Sequence, residues 1–72
     1  MSSLQQLREQ LEQQDPEFRR LVEEHRAREH RLKELTHKGW LTTDEEQEER
    51  RLKKEKLRLK DQMEEILRRR AT

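Results

Sequence analysis

The sequence predicts an all-α protein: an antiparallel two-helix hairpin, similar to a coiled coil, with a short N-terminal helix before Pro16. Ala, Glu, Lys, Leu and Arg make up 45 of its 72 residues, which is typical of long helices when the apolar residues are periodic. From Leu4 to Leu35, a stripe of mostly apolar residues recurs at alternating spacings of three and four. This is the heptad spacing of helices that pack along one face.

A break in the first helix is predicted at Pro16. Inside a helix, a proline ring clashes with the preceding turn and offers no N–H donor. At the first position of a helix neither property matters, and Asp15 is a residue type that caps helix N-termini. We therefore expect a short helix within residues 1–14 and a second helix over about residues 16–38.

The turn of the hairpin is predicted at residues 39–42. Gly39 is the only glycine in the chain, and it stands where a helix would end in a left-handed residue, a conformation that glycine adopts readily. In the Schellman ending that this predicts, Trp40 would contact Leu35. The alternative role of Trp40 is that of an exposed anchor for a partner, because tryptophan is enriched in binding hot spots.

The last helix is predicted over about residues 43–70. Thr42 with Glu45, and equally Thr43 with Glu46, have the spacing of a capping box, in which each side chain accepts a hydrogen bond from the backbone N–H of the other residue. Acidic residues fill the first turn and three arginines end the helix, as the helix dipole favours. The hairpin as a domain would span residues 15–72.

Two helices joined by so short a turn must run antiparallel, so their heptad stripes face each other. The residues predicted to form this helix-packing seam are Phe18, Leu21, Leu32, Leu35, Leu52, Leu59, Met63 and Ile66. His25 and Arg28 fall at seam positions in the middle, near Lys56 and Glu55 of the last helix. Such a polar layer would weaken the packing but help to fix its register.

Several apolar residues lie outside the seam or beyond the reach of the last helix. These candidates for contact with a partner are Leu4, Leu7, Leu11, Leu57 and Trp40. Either the N-terminal helix folds back at Pro16 across the hairpin, or its leucines meet another chain. Because two narrow stripes make a thin core for a single chain, we expect self-association or packing against another helical protein.

A basic face on the last helix is the basis of an alternative function, nucleic-acid binding. Its residues are Lys53, Lys54, Lys60 and Arg68, and basic side chains clustered on one side of a helix are the usual footprint of phosphate contacts. However, Asp61 and Glu64 lie on the same side, and one Trp with one Phe offers little surface for base stacking. The formal net charge of +1 also argues against general binding of polyanions.

Neither catalysis nor a bound cofactor is expected. The chain has no cysteine, and His25, His30 and His37 are not spaced to converge on one metal ion, which needs three or four ligands. No phosphate-binding glycine loop is present, and two thin helices are not expected to enclose a substrate. Apolar residues never occur more than two in a row, so we expect no membrane span and a soluble, cytoplasmic protein.

Two parts of the chain resemble a known family. Phe18-x-x-Leu21 with HRAREHRL at residues 25–32, and LKKEKLRLKDQM at residues 52–63, are similar to the YdcH-like family of short bacterial proteins of unknown function. The resemblance covers about residues 4–68. It implies a small helical hairpin in a bacterial cytoplasm, with no established enzymatic activity to carry over.

These observations together predict a non-enzymatic module that acts by helix packing. The expected mechanism is burial of apolar stripes, first within the chain and then against a partner, which is most simply a second copy. Nucleic-acid binding through the basic face of the last helix is the alternative.

Overall fold

A computed structural model describes residues 3–71 of the chain, and within that range it contains three α-helices and no strand. They are α1, Ser3–Gln14, α2, Pro16–His37, and α3, Thr43–Ala71. The predicted all-α class is therefore confirmed. The structure measures 45 × 21 × 19 Å, and its length is that of α3, since 29 residues at about 1.5 Å each span about 43 Å.

Asp15 separates α1 from α2 in the way that the sequence predicts. Its backbone is extended, with φ −107° and ψ 108°, and its N–H donates to the Leu11 carbonyl at the end of α1 over 2.8 Å. Its carboxylate accepts hydrogen bonds from the backbone N–H groups of Glu17 at 3.0 Å and Phe18 at 3.2 Å. Pro16 is the first residue of α2, where its missing N–H leaves nothing unpaired.

The end of α2 differs in detail from the predicted Schellman ending. Gly39 has the expected positive φ, +81°. The Leu35 carbonyl, however, accepts from the Lys38 N–H at 3.2 Å, a tighter closure than a bond from Trp40 would give. Leu35 is 1% exposed while Trp40 is 72% exposed. The expected contact with Leu35 therefore does not bury Trp40, whose ring lies largely in solvent.

The start of α3 is the capping box that the sequence predicts. The Thr42 hydroxyl accepts from the Glu45 N–H at 3.1 Å, and the Glu45 carboxylate accepts from the Thr42 N–H at 3.0 Å. Glu45 also forms an ion pair with the Lys38 ammonium group across the turn. These bonds lower the pKa of the Glu45 carboxyl to about 2, with the Lys38 hydrogen bond as the largest cause. The turn is thus closed by side chains from both helices.

All three helices contribute to the main core. Its residues are Leu11 from α1, Phe18, Leu21 and Val22 from α2, and Leu59, Met63, Ile66 and Leu67 from α3. Phe18 is fully buried at its centre, with 0% of its surface exposed. The main core therefore lies at the end of the molecule away from the turn, where α1 adds a third helix to α2 and α3.

The position of α1 corrects one expectation for the partner-contact residues. Leu11 was expected to be available to a partner, but it is 6% exposed and belongs to the main core, and Leu7 is partly buried against that core. The reason is the break at Asp15, which lets α1 fold back on the other two helices. Glu12 forms an ion pair with Arg26 at 2.9 Å, which ties α1 to α2.

Two core residues were missing from the predicted seam: Val22 and Leu67, which are 6% and 8% exposed. Each directly follows a seam residue, so it lies on the flank of the heptad stripe and needs a third helix to cover it. The sequence did contain a signal, since Leu21-Val22 and Ile66-Leu67 are two of its three adjacent apolar pairs.

Asp15→Ala should destabilise the fold by about 1 kcal/mol, because it removes a helix N-cap. It also removes the ion pair between Asp15 and Arg70, whose atoms are 3.3 Å apart. Asp15→Asn is the matched control: it keeps a capping oxygen and loses only the charge. Urea unfolding should place Asp15→Asn much closer to wild type than Asp15→Ala, and equal losses would contradict the capping role.

Leu11→Ala should destabilise the protein by about 2–3 kcal/mol, the usual loss for truncating a buried leucine. Leu4→Ala is the control on the same helix, because Leu4 is 59% exposed, and exposed substitutions usually change stability by less than about 0.5 kcal/mol. The free energy of unfolding of both variants tests the docking of α1. Equal, small effects would mean that α1 does not pack on the core.

Candidate functional site

The predicted seam residues are nearly all buried. Phe18, Leu21, Leu35, Leu52, Leu59, Met63 and Ile66 are each at most 7% exposed, and Leu32 is half-buried. Leu35 and Leu52 do not belong to the main core cluster. The seam therefore has two apolar parts, one at the three-helix end and one near the turn.

Charged side chains from α2 and α3 meet between and beside these apolar parts. Among the described residues, the ion pairs that join α2 and its caps to α3 include Lys38–Glu45, Arg31–Glu48, Arg28–Glu55, Glu29–Lys56 and Asp15–Arg70. Arg31 binds Glu48 through two hydrogen bonds of 2.9 Å, one from Nε and one from an Nη atom. Toward the start of α2 the partners lie farther along α3, from Glu45 through Glu48 to the neighbouring Glu55 and Lys56, so the pairs agree on one alignment of the two helices.

Arg28 lies half-buried at a seam position, where an unpaired charge would destabilise the fold. Its Nε donates to the Glu55 carboxylate at 2.9 Å, as the heptad alignment predicts, and an Nη atom donates to the Glu24 carbonyl at 3.0 Å. A half-buried guanidinium is tolerated when its donors are satisfied in this way. The charges of this polar layer are therefore paired, and the pairing favours one register of α2 against α3.

The ion pairs also shift the pKa values of the groups involved. The hydrogen bond to Glu48 raises the pKa of Arg31, and the bond from Arg31 lowers the pKa of Glu48. Both groups remain charged at neutral pH. Because the two side chains are partly exposed, their attraction is screened by water and contributes modestly to stability.

His25 lies half-buried in the same polar layer. Burial lowers its pKa below the ordinary 6.5; the charge of Glu29 opposes that shift, and the charges of Lys56, Arg8 and Lys60 reinforce it. The imidazole is therefore mainly neutral at pH 7. It faces groups from all three helices, which makes it sensitive to the packing of the whole molecule.

The exposed large apolar side chains are the clearest candidates for contact with a partner. Among the described residues they are Leu4, Trp40 and Leu57, which are 59%, 72% and 62% exposed. Leu57 lies with Leu32 in an open groove between α2 and α3 whose rim carries Lys53, Lys56, Lys60 and Glu49. Leu4 lies with Leu67 in a second open groove, between α1 and α3.

The residues of the alternative nucleic-acid face are all exposed: Lys53, Lys54, Lys60 and Arg68. Lys53 is 3.9 Å from the Glu49 carboxylate, and Arg68 also takes part in an interaction within the chain. Asp61 and Glu64 are exposed on the same helix. The face therefore alternates in charge along its length, whereas a phosphate backbone presents one sign.

A metal site, a pocket and a membrane span each set requirements on the described residues. Within residues 3–71, no three His, Asp or Glu side chains lie close enough together to hold a metal ion. The surface hollows in that range are open and bordered mainly by charged side chains. No helix among these residues is both long enough and apolar enough to cross a membrane.

Stability should fall as the pH is lowered from about 7.5 to 5.5, because the unfolded chain takes up a proton on His25 near pH 6.5 while the folded chain resists it. Glu45 and Glu48, with lowered pKa values, lose their contributions only below pH 4.5. Melting temperatures should show that His25→Gln flattens this dependence. His30→Gln, at an exposed position of the same helix, is the matched control, and the melting temperature of this variant should still fall over the same pH range.

Comparison with known proteins gave a family match over the region that contains the polar layer and Leu57. The model of a family described as protein of unknown function, DUF465, matches residues 18–67. Neither the curated proteins nor the solved structures gave a match. The family match includes all of the seam and carries neither an activity nor the YdcH-like name. Because it covers more than half of the sequence, the chain belongs to the DUF465 family of proteins of unknown function.

Proposed function

We propose that this protein is a small non-enzymatic assembly module that acts by helix packing and associates with itself. The observation that carries the proposal is Leu57, an apolar side chain that is 62% exposed on α3. Leu57 lies beside the half-buried Leu32 in a groove with lysines on its rim. Apolar surface surrounded by charged residues is characteristic of sites that bind another protein.

The proposed module is an antiparallel hairpin of α2 and α3, of the coiled-coil type, steadied by α1. Two observations support this arrangement: the order of the ion pairs between the helices, and the heptad spacing of the buried residues. A hairpin braced in this way presents α3 as a rigid surface. Rigid helices lose little conformational freedom on binding, which favours association through a small contact area.

The proposal includes a location and a family name. A cytoplasmic location is supported by the charged share of the sequence, 49%, and by the resemblance to bacterial cytoplasmic proteins. The YdcH-like name is supported by the extent of that resemblance, about residues 4–68, which encloses the family match over residues 18–67.

Nucleic-acid binding is the competing proposal, and it depends on the exposure of Lys53, Lys54 and Lys60. Under that proposal, the wild-type chain binds a labelled oligonucleotide strongly at low salt and weakly at high salt. The double variant Lys53→Glu with Lys54→Glu then loses this binding. The alternation of acidic and basic residues along α3 favours a protein partner, since such a partner can match both signs.

Leu57→Asp should reduce self-association, because a carboxylate replaces the apolar side chain at the centre of the exposed surface. Light scattering across a concentration series should show wild type with an apparent mass that rises above one chain, while the variant stays near one chain. Because Leu57 is exposed, the variant should keep its helix content and melting temperature within the range usual for surface changes.

Gln62→Asp is the matched control for this experiment. It adds the same charge to the same helix at an exposed position about 140° around the axis from Leu57. It should associate like wild type. A wild-type chain that stays monomeric and cooperatively folded over the whole series would overturn the proposed self-association.

A further inference from the structure

The exposed face of α3 centred on Leu57 carries a stripe of residues with a symmetric spacing. The members of this outer stripe are Glu46, Arg50, Lys53, Leu57, Asp61, Glu64 and Arg68. Their spacings are 4, 3, 4, 4, 3 and 4, which read the same from either end, and every member is exposed. At about 100° per residue they lie within about 40° of Leu57 around the helix, and Ile66 of the core lies about 180° away.

The charges of the outer stripe invert about Leu57. Counting outward in both directions from Leu57, the members pair as Lys53 with Asp61, Arg50 with Glu64, and Glu46 with Arg68. Each of these pairs consists of one base and one acid. If a second copy of the stripe is placed antiparallel to the first with the two Leu57 residues in contact, each base therefore faces an acid.

We propose that α3 is the contact surface for a second copy of this chain, packed antiparallel along the outer stripe with a two-fold axis through Leu57. The inference rests on the proposed function and assigns its geometry. In this arrangement Leu57 meets the same residue of the second copy, and each base faces the acid with which it is paired above. A two-fold contact repeats every interaction twice, so three kinds of pair give about six ion pairs.

The surroundings of Leu57 fit this arrangement. Leu32 of α2 is half-buried in the groove that Leu57 lines, so the second copy places its own Leu57 against an apolar patch contributed by two helices. The lysines at the rim can lay their aliphatic stems along that patch and keep their charges in water. The centre of the contact is then apolar and its ends are charged, as in other protein interfaces.

The same geometry explains why the contact would be weak and dependent on salt. Exposed ion pairs contribute little individually and are screened by salt, and one leucine per chain supplies a small apolar centre. A single charge reversal in the stripe, however, turns two attractions into two repulsions, because the two-fold axis repeats it. Such a reversal should raise the dissociation constant about tenfold.

Charge exchange at Lys53 and Asp61 tests the arrangement. Lys53→Asp alone and Asp61→Lys alone should each weaken self-association in sedimentation equilibrium at low salt. The double variant, Lys53→Asp with Asp61→Lys, should recover it, because each acid again faces a base. An equimolar mixture of the two single variants should also associate, since each variant complements the other across the two-fold axis.

The outcomes separate this inference from the proposed function. If wild type self-associates and Leu57→Asp does not, but neither the double variant nor the mixture recovers, the module assembles in another register and the inference is wrong. If wild type is monomeric at every concentration, both proposals fail. Circular dichroism of each variant shows whether the helices are intact, so that loss of association is not mistaken for loss of folding.

A disulfide offers a second measurement that does not depend on charge. The chain has no cysteine, so Leu57→Cys introduces a single thiol at the proposed axis, where the two copies lie close enough to be joined. Mild oxidation should link this variant into covalent dimers. Lys54→Cys is the control: its two copies would be displaced by about 9 Å along the helices, so it should link much more slowly. Equal rates would overturn the two-fold arrangement.

Discussion

The interruption of the helix at Asp15 is the constraint on which the rest of the structure depends. A proline in the interior of a helix would break or kink it, and the Asp15 carboxylate satisfies two N–H groups of the helix that begins at Pro16. The chain can therefore change direction without leaving buried donors unpaired. Because it does so, α1 covers Val22 and Leu67 and contributes Leu11 to the main core, which gives a short chain the third helix that a thin two-helix core lacks.

The polar layer in the middle of the seam sets the alignment that the apolar residues leave open. Leucine stripes tolerate a shift of one heptad, because leucine again meets leucine. A shift of α3 by one heptad would separate Arg31 from Glu48 and Arg28 from Glu55, and in either direction one of the two arginines would lose its acidic partner. Because such a shift leaves Leu57 on the same face of α3, the ion pairs decide where Leu57 lies along α2, which is beside Leu32.

Heptad spacing and capping rules were sufficient to predict the three helices and most of the buried seam. They could not decide where α1 lies, because a helix break shows that the chain bends without showing the direction, and the burial of Val22 and Leu67 depends on that direction. Local rules also failed at Trp40, where the observed turn closes through Lys38. For the candidate site, the heptad spacing identified Leu57 as an apolar residue outside the seam, but the groove that it shares with Leu32 requires the tertiary structure.

The position of Leu35 and Leu52 outside the main core has a consequence for the dynamics of the molecule. At the turn they pack between two helices only, and charged residues separate them from the three-helix end. The packing therefore forms two units of unequal size that share long helices. In such an arrangement the smaller unit can unfold locally for short periods while the larger one stays folded. The backbone amide hydrogens near the turn then exchange with water without global unfolding. The end near the turn should therefore open more often than the three-helix end.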